Sequence, residues 1–480
     1  MSEITSETKK ANSFSASTFE AAYNRLLKER PGILASEMGG ELDWLREARE
    51  RDFGRWCAQG LPTKRNEKWS YTNVAPLAEA EIVPAPEVSA LPARGSLVAL
   101  KGESEADIVF VNGHYAPELS KLKRENGVSV VVLSKLFEEC VNDGWTKERI
   151  DHFSNFRKHV ETSDADRETV FAAMNTSFMQ DGVLVSVEKN IRLTKPIVVA
   201  YVSTLRANGS AKALPMVSPR VFVHLAQNAE AALLEVYEGS GDHASFTNAV
   251  SDVRLEEGAR LSYCKVQLEG ENSFHIGTTR IHQKSSSFSE AFQFSFGAKL
   301  SRQDLHISLE GQGAEAALDG LYMVSGKQHV DNHTAVEHVV PNTSSSQVYK
   351  GILDGEARAV FNGFVRIHKD AQKSNAAQLN NNLMLSLKSE VDTKPELEID
   401  ADDVKAAHGA TIGRIDPEHV FYLETRAIPR VEAVRLLARG FAQDVVFRIR
   451  NESLRHRIGQ IVDARFDQMH VAEKESLISQ

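Results

Sequence analysis

Between Gly182 and about Gly413 the chain breaks into short apolar pieces: VLVSVEK, PIVVAYVS, RVFVHLA, ALLEVYEG, RLSYCKVQLE, DLHISLEG, LDGLYMV, QVYKGILDG and AVFNGFVRI. No long amphipathic helix interrupts them, and the separators are short and rich in Gly, Asn, Ser and Asp, residues that turn a chain at low cost. This pattern excludes a helical bundle and an alternating α/β sheet. It restricts the segment to an all-β architecture, either a sandwich or a solenoid.

Internal resemblance favours the solenoid. LDGLYMV, with Gly320, is followed by HVDNHTAVEHV, and FNGFVRI, with Gly363, by DAQKSNAAQLNNN. The two similar blocks stand roughly forty residues apart, each worth two rungs of a β-helix. Asn375, Asn380, Asn381 and Asn382 fit this reading, because amide side chains in successive coils can bond along a stack. The alternative is a sandwich with Asn-rich turns. A solenoid has open ends, whose unpaired N–H and C=O groups must be capped or paired with another chain.

The flanks read differently. Residues 1–17 are polar and Ser/Thr-rich, a disordered lead-in. Residues 18–80 form an N-terminal helical domain. There Leu26, Leu27, Ile33, Leu42, Leu45 and Phe53 recur at helical spacing, broken by Pro31-Gly32 and Gly39-Gly40 into two or three short helices. Residues 81–181 hold the Pro-spaced linker EIVPAPEVSALPARG, the strand-like ADIVFVNG and VSVVVL, and the helical VFAAMNTSFM.

Residues 414–480 are helical. Asp416 is a natural N-cap, Pro417 suits the first helical position, and Glu418 complements the dipole. Pro429 restarts the helix. Val431, Val434, Leu437, Phe441 and Val445 recur at three or four residues, and Leu454, Ile458 and Ile461 repeat the stripe. This unit either caps the β core or binds a partner.

Charge and cysteine content exclude several functions. The 56 Lys+Arg against 66 Asp+Glu give a net charge of −10, which is no footprint for nucleic acid or anionic lipid. No apolar run nears the roughly 20 residues that span a bilayer. MSEITSETKKANSFSAS lacks the apolar core of a secretory signal, so the expected location is the cytoplasm. Cys57, Cys140 and Cys264 share no metal or redox spacing. Soft-metal chemistry in the C-terminal half must therefore use histidine or a partner's cysteines.

Motifs for catalysis mostly fail on context. GQGAEA, from Gly311, matches a dinucleotide fingerprint but leads into ALDGLYMV rather than a helix, and reads as a solenoid turn. Gly326-Lys327 is followed by Gln328 where a P-loop needs Ser or Thr, so no nucleotide is expected on this chain. The acidic pairs Asp402-Asp403 and Glu396/Glu398 evoke a carbohydrate-cleaving β-helix, but adjacent strand residues point to opposite faces. His329, His333 and His338 are likewise split between faces. His408, in AAHGAT, is flanked by small residues that leave its imidazole open to a ligand or a proton.

Several long motifs then occur in one order: GLPTKRNEKWSYTNV from Gly60, FAAMNTSFMQDGVLVSV from Phe171, KPELEIDADDVKAAHGATIGRID, FYLETRAIP and LLARGFAQDV. Together they make the chain resemble the SufB/SufD family of iron-sulfur cluster assembly proteins, and its SufD branch in particular. The resemblance covers most of the chain beyond about the first sixty residues.

The resemblance implies a mostly β fold, a right-handed parallel β-helix core flanked by N-terminal and C-terminal α-helical domains. It implies a non-catalytic scaffold that pairs with SufB through the β-helix and carries the SufC ATPase on its C-terminal helices. Phe421, Tyr422, Arg426, Leu437 and Phe441 shape that docking surface. A transient iron-sulfur cluster forms where SufB and SufD meet, His408 matches the family histidine that faces this seam, and a neutral imidazole can ligate iron beside a partner's thiolates. Reduced flavin in the complex, and a homodimer in the absence of SufB, are compatible with the same resemblance.

Two positions depart from the family pattern. Ala406 stands where some relatives carry cysteine, and Ala427 replaces a common glycine. Two other classes stay open, a carbohydrate-active β-helix enzyme and an adaptor without a cluster ligand.

Overall fold

Successive strands alternate between two sheets. The first sheet runs through Val183–Val187, Arg220–Leu225, Phe246–Leu255, Phe274–Gln283, Leu300–Leu309, His329–His338, Arg358–Ile367 and Glu390–Ile399. The second runs through Ile197–Ser203, Glu230–Gly239, Arg260–Leu268, Phe288–Ser295, Glu315–Val324, Ser344–Leu353, Asn375–Met384 and Lys405–Gly413. Neighbours within each series are parallel. One coil thus lends one strand to each sheet, and the chain is a parallel β-helix rather than a sandwich. The computed structural model describes residues 19–28, 43–87, 91–122, 127–143, 146–162, 170–204, 213–239 and 243–469. The expected lead-in 1–17, the breaks at Pro31-Gly32 and Gly39-Gly40, and the tail beyond residue 469 lie outside them.

The coil is shorter than the repeat read from the sequence. Leu300 pairs with His329 and His329 with Arg358, so one turn takes roughly 30 residues, within the range of solenoid repeats. LDGLYMV lies in the second sheet and FNGFVRI in the first, so the two are not equivalent rungs. What they share is a glycine that admits a neighbour's side chain. A Cβ at Gly320 would stand 2.3 Å from Tyr349 Cε1, and one at Gly363 1.7 Å from Gln378 Nε2.

The asparagines make no ladder either, since all four belong to the single strand Asn375–Met384. Asn380 Nδ2 instead donates to Tyr322 Oη at 3.1 Å and to the Tyr349 carbonyl at 3.2 Å, which ties the amides to tyrosines of earlier coils. Within the bore, Phe110, Tyr201 and Tyr237 stack at centroid spacings of 5.0 and 5.1 Å. Each such buried ring contributes roughly 1.5–3 kcal/mol of burial free energy.

At the N-terminal end each sheet finishes on an antiparallel strand. Val128–Val132 pairs antiparallel with Val183–Val187, and His114–Tyr115 with Ala106–Val111, so the two sheets begin before Gly182. Part of the expected linker is also ordered. Glu81–Pro84 is a strand parallel to Ala213–Val217.

Helices cover both outer faces. The N-terminal set is α1 (residues 19–28), α2 (Asp43–Gln59), α3 (Ala75–Glu79), α4 (Leu133–Asp143), α5 (Lys147–Thr162) and α6 (Val170–Phe178). Phe19, Trp56 and Phe171 from this set pack with Phe246, Phe274 and Ile276 of the first sheet, and Phe137 and Phe156 with Leu184 and Phe222. The C-terminal set is α7 (Pro417–Glu424), α8 (Arg430–Phe447) and α9 (Glu452–Gln468). Its Val434, Val445, Leu454 and Ile458 meet Val266, Phe292, Phe294 and Leu321 of the second sheet. Asp416 caps α7 as expected, accepting from Glu418 N at 2.8 Å.

A buried polar clamp fixes the GLPTKRNEKWSYTNV stretch. The Arg302 guanidinium, 1% exposed, lies 3.8 Å from the Trp69 ring centroid. It donates to the Lys68 carbonyl at 2.7 Å and to Asp331 Oδ2 at 2.8 Å. Asp331 also accepts from Thr72 Oγ1 at 2.6 Å. Burial alone would raise the Asp331 carboxyl, but His333 and Arg302 beside it outweigh that and hold it far below the usual carboxylate range.

Candidate functional site

The other end of the solenoid is open. Glu390–Ile399 and Lys405–Gly413 are the last strands of their sheets, and each pairs with one neighbour only. Their outer rows of backbone N–H and C=O groups have no strand beside them among the described residues, which is a template for another chain. Apolar side chains surround these rows. Ile412 is 52% exposed, and Ile399, Leu379 and Leu387 are exposed as well. Pro395, in the last strand of the first sheet, occupies the kind of edge position where a sheet tolerates proline.

His408 stands on this end. It pairs in register with Gln378, which pairs with Gln347, and the Gln378 amide donates to Gln347 Oε1 at 2.9 Å inside the bore. Side chains alternate along a strand, so His408 continues this inward column one coil past the last covered rung. There it is exposed, between exposed Ala407 and partly buried Gly409. Such an imidazole is free to take a metal whose other ligands come from elsewhere. The strand Lys405–Gly413 contains no cysteine. Cys140 and Cys264 are buried, and burial, with Glu290 nearby, pushes the Cys264 thiol well up.

The structure divides the five tail residues chosen from the sequence. Phe421 and Tyr422 of α7 are 66% and 57% exposed, and Arg426 is exposed just beyond. The Arg426 guanidinium lies 5.0 Å from the Tyr422 ring centroid and donates to Tyr422 Oη at 3.0 Å. Leu437 and Phe441 face the other way, half-buried against the apolar cluster between α8 and the second sheet. Lys350 lies 4.5 Å from the Phe441 ring centroid, bonds its carbonyl, and pairs with Asp444 at 2.8 Å. The stripe Val431, Val434, Leu437, Phe441 and Val445 placed both toward the core, and of its members only Val431 turns out exposed, at 49%. The exposed apolar residues of α8 are Val431, Leu436 and Phe447, the last 71% exposed, and Phe447 was missed because it follows that stripe without belonging to it. Ala427, in the turn between α7 and α8, has φ +63°, a left-handed conformation that explains why glycine suits this position.

The dismissed motifs fall where their chemistry predicts. GQGAEA and Gly326-Lys327 include turns between strands, and Asp402 and Asp403 are exposed in the turn before the last strand. Glu396 bonds Asn362 and Lys394, and Glu398 pairs with Arg366. His338 turns into the bore onto Thr343 and Ser345, while His329 and His333 lie on the opposite face near Thr72 and Asp331. No group of three or more His, Cys, Asp or Glu among the described residues is arranged to hold a metal ion. No described helix is long and apolar enough to cross a membrane.

Comparison with known proteins matches this architecture. Residues 205–441 fit the family model described as SUF system FeS cluster assembly, SufBD core domain, and residues 17–199 that of the SufBD protein N-terminal region. A SufBD-family iron-sulfur cluster assembly protein of Synechocystis is 32% identical over 84% of this chain and 87% of its own. The SufD protein of Escherichia coli is 30% identical over 84% of this chain and 89% of its own, and that of Bacillus subtilis 25% over 90% and 96%. With a parallel β-helix between two helical units and these similarities along most of its length, the chain belongs to the SufBD family of iron-sulfur cluster assembly proteins.

Proposed function

We propose that this chain is the scaffold subunit of a Suf assembly complex, with no catalytic step of its own. The observation that carries the reading is the open end of the solenoid, where both sheets stop unpaired at the strand that holds exposed His408. The edge groups of Glu390–Ile399 and Lys405–Gly413 pair with the corresponding end of SufB, and exposed Ile399 and Ile412 are covered in the seam. When SufB is absent, the same edges pair two copies of this chain.

His408 offers its imidazole to the nascent cluster, which is cargo rather than a resident group. SufB supplies the thiolates, because this chain has only Cys57, Cys140 and Cys264 and two of those are buried. On the outer side, Phe421, Tyr422 and Arg426, joined by Val431, Leu436 and Phe447, present an apolar surface rimmed by charge to the SufC ATPase.

Co-expression with SufB and SufC, followed by affinity capture and mass measurement, tests this reading. The unaltered chain is expected to hold both partners. A chain carrying Ile399→Asp and Ile412→Asp is expected to keep SufC and lose SufB. Retention of SufB by that variant contradicts the proposed seam.

A further inference from the structure

The bore of the solenoid carries a row of buried polar atoms that the protein leaves unbonded. They are His275 Nε2, Gln293 Nε2, Ser301 Oγ, Gln303 Oε1, Asn332 Nδ2 and Gln378 Oε1, and none has a partner among the described residues. All six residues are more than nine-tenths buried. Four of them are neighbours, His275 pairing in register with Ser301. Gly277 pairs with Gln303 and Gln303 with Asn332 in successive coils of the first sheet. Across the bore, Gln293 holds the Tyr349 hydroxyl through Oε1 at 2.8 Å and keeps its Nε2 unused.

Gly277 shows where two of these atoms meet. A Cβ built there would stand 2.4 Å from Gln303 Oε1 and 3.0 Å from His275 Nε2, so both converge on the space that the missing side chain leaves. His275 is fixed from behind, because its Nδ1 lies 2.7 Å from Glu269 Oε2 and its Nε2 therefore looks into the bore.

The mixture of groups defines the ligand. Gln293 and Asn332 present donors, Gln303 and Gln378 present acceptors, and the Ser301 hydroxyl is both. An anion would meet the amide oxygens and a cation the amide N–H groups, whereas a small neutral molecule that both donates and accepts satisfies all of them. A buried polar group that stays unbonded is costly, and a site with two to four polar partners is what an internal water requires. We propose that the bore binds ordered water beside Gly277, held by His275, Ser301, Gln303 and Asn332. This water sits beside the buried Glu269–His275 pair. The site depends on no partner chain.

Two measurements test the proposal. A crystal structure of the unaltered chain at a resolution that shows water is expected to contain density within hydrogen-bond distance of His275 Nε2, Gln303 Oε1 and Asn332 Nδ2. A bore without such density overturns it. The near-isosteric Asn332→Leu supplies the second reading, as a thermal midpoint. Around bound water, leucine strips one anchor and leaves a water unbonded, so the midpoint falls. In a dry bore it removes an unpaired N–H, and a midpoint unchanged or raised overturns the proposal. Should Asn332→Leu fail to fold, the density in the unaltered chain decides alone.

Discussion

Tyr322 and Gly351 pair in register in adjacent coils, and the tyrosine ring occupies the space that a side chain at 351 would need. A Cβ there would stand 2.1 Å from Tyr322 Cε2 and 2.5 Å from Asn382 Oδ1. Gly320 stands in the same relation to Tyr349. Glycine is therefore set by packing inside the bore rather than by a turn. Gly351→Ala is expected to destabilise the chain by about 1–3 kcal/mol, the usual cost of overpacking a well-filled core. Chemical denaturation checks it, and a control at exposed Gly413, where an added Cβ meets nothing within 4 Å, should move far less.

Asp181 makes stability depend on pH. Its carboxylate accepts from Ser134 N at 3.0 Å, Ser134 Oγ at 2.5 Å and Gly182 N at 2.8 Å, at the start of α4. Burial is the largest influence and outweighs those hydrogen bonds, so the group is pushed up to about 6. The unfolded chain titrates near 4. The folded state thus binds the proton more tightly, and this contribution to stability is complete below about pH 4 and lost as pH rises through 6. The difference amounts to roughly 3 kcal/mol. Asp181→Asn keeps an acceptor for both backbone N–H groups and carries no charge. Denaturation at a series of pH values should show the decline between pH 4 and 6 flattened in this variant.

The parts legible in the sequence were those written in local chemistry. Asp416 and Pro417 announce α7, and the 3.6-residue stripe through Val434 and Val445 announces α8 and the side it buries. Short apolar pieces between turn residues announce strands. The coil length was not legible, because Gly320 and Gly363 look like repeat markers yet answer to Tyr349 and Gln378 on different sheets. Nor was the division of the tail residues, since Leu437 and Phe447 are both apolar residues of one helix and only the packed sheet tells them apart. His408 lay in the open context its small neighbours implied, but its place at the end of the bore follows from strand register, which no single segment encodes.

That division predicts two different phenotypes. Phe421→Ala combined with Phe447→Ala removes exposed surface, so it is expected to leave the thermal midpoint nearly unchanged and weaken SufC binding by about tenfold or more. Leu437→Ala takes a half-buried side chain from the contact with the solenoid. It should cost about 1–2 kcal/mol of stability while changing SufC affinity little. Calorimetry for binding, paired with thermal melts, separates the two.

The most direct test of the account is anaerobic cluster reconstitution on the purified complex with SufB and SufC, comparing the unaltered chain with His408→Ala and reading iron and sulfide per complex. Because His408 is exposed on an edge strand and supports no packing, the variant complex is expected to assemble with the same mass and to hold about tenfold less cluster. A His408→Ala complex that loads cluster as fully as the unaltered one would contradict the claim that this imidazole serves the seam.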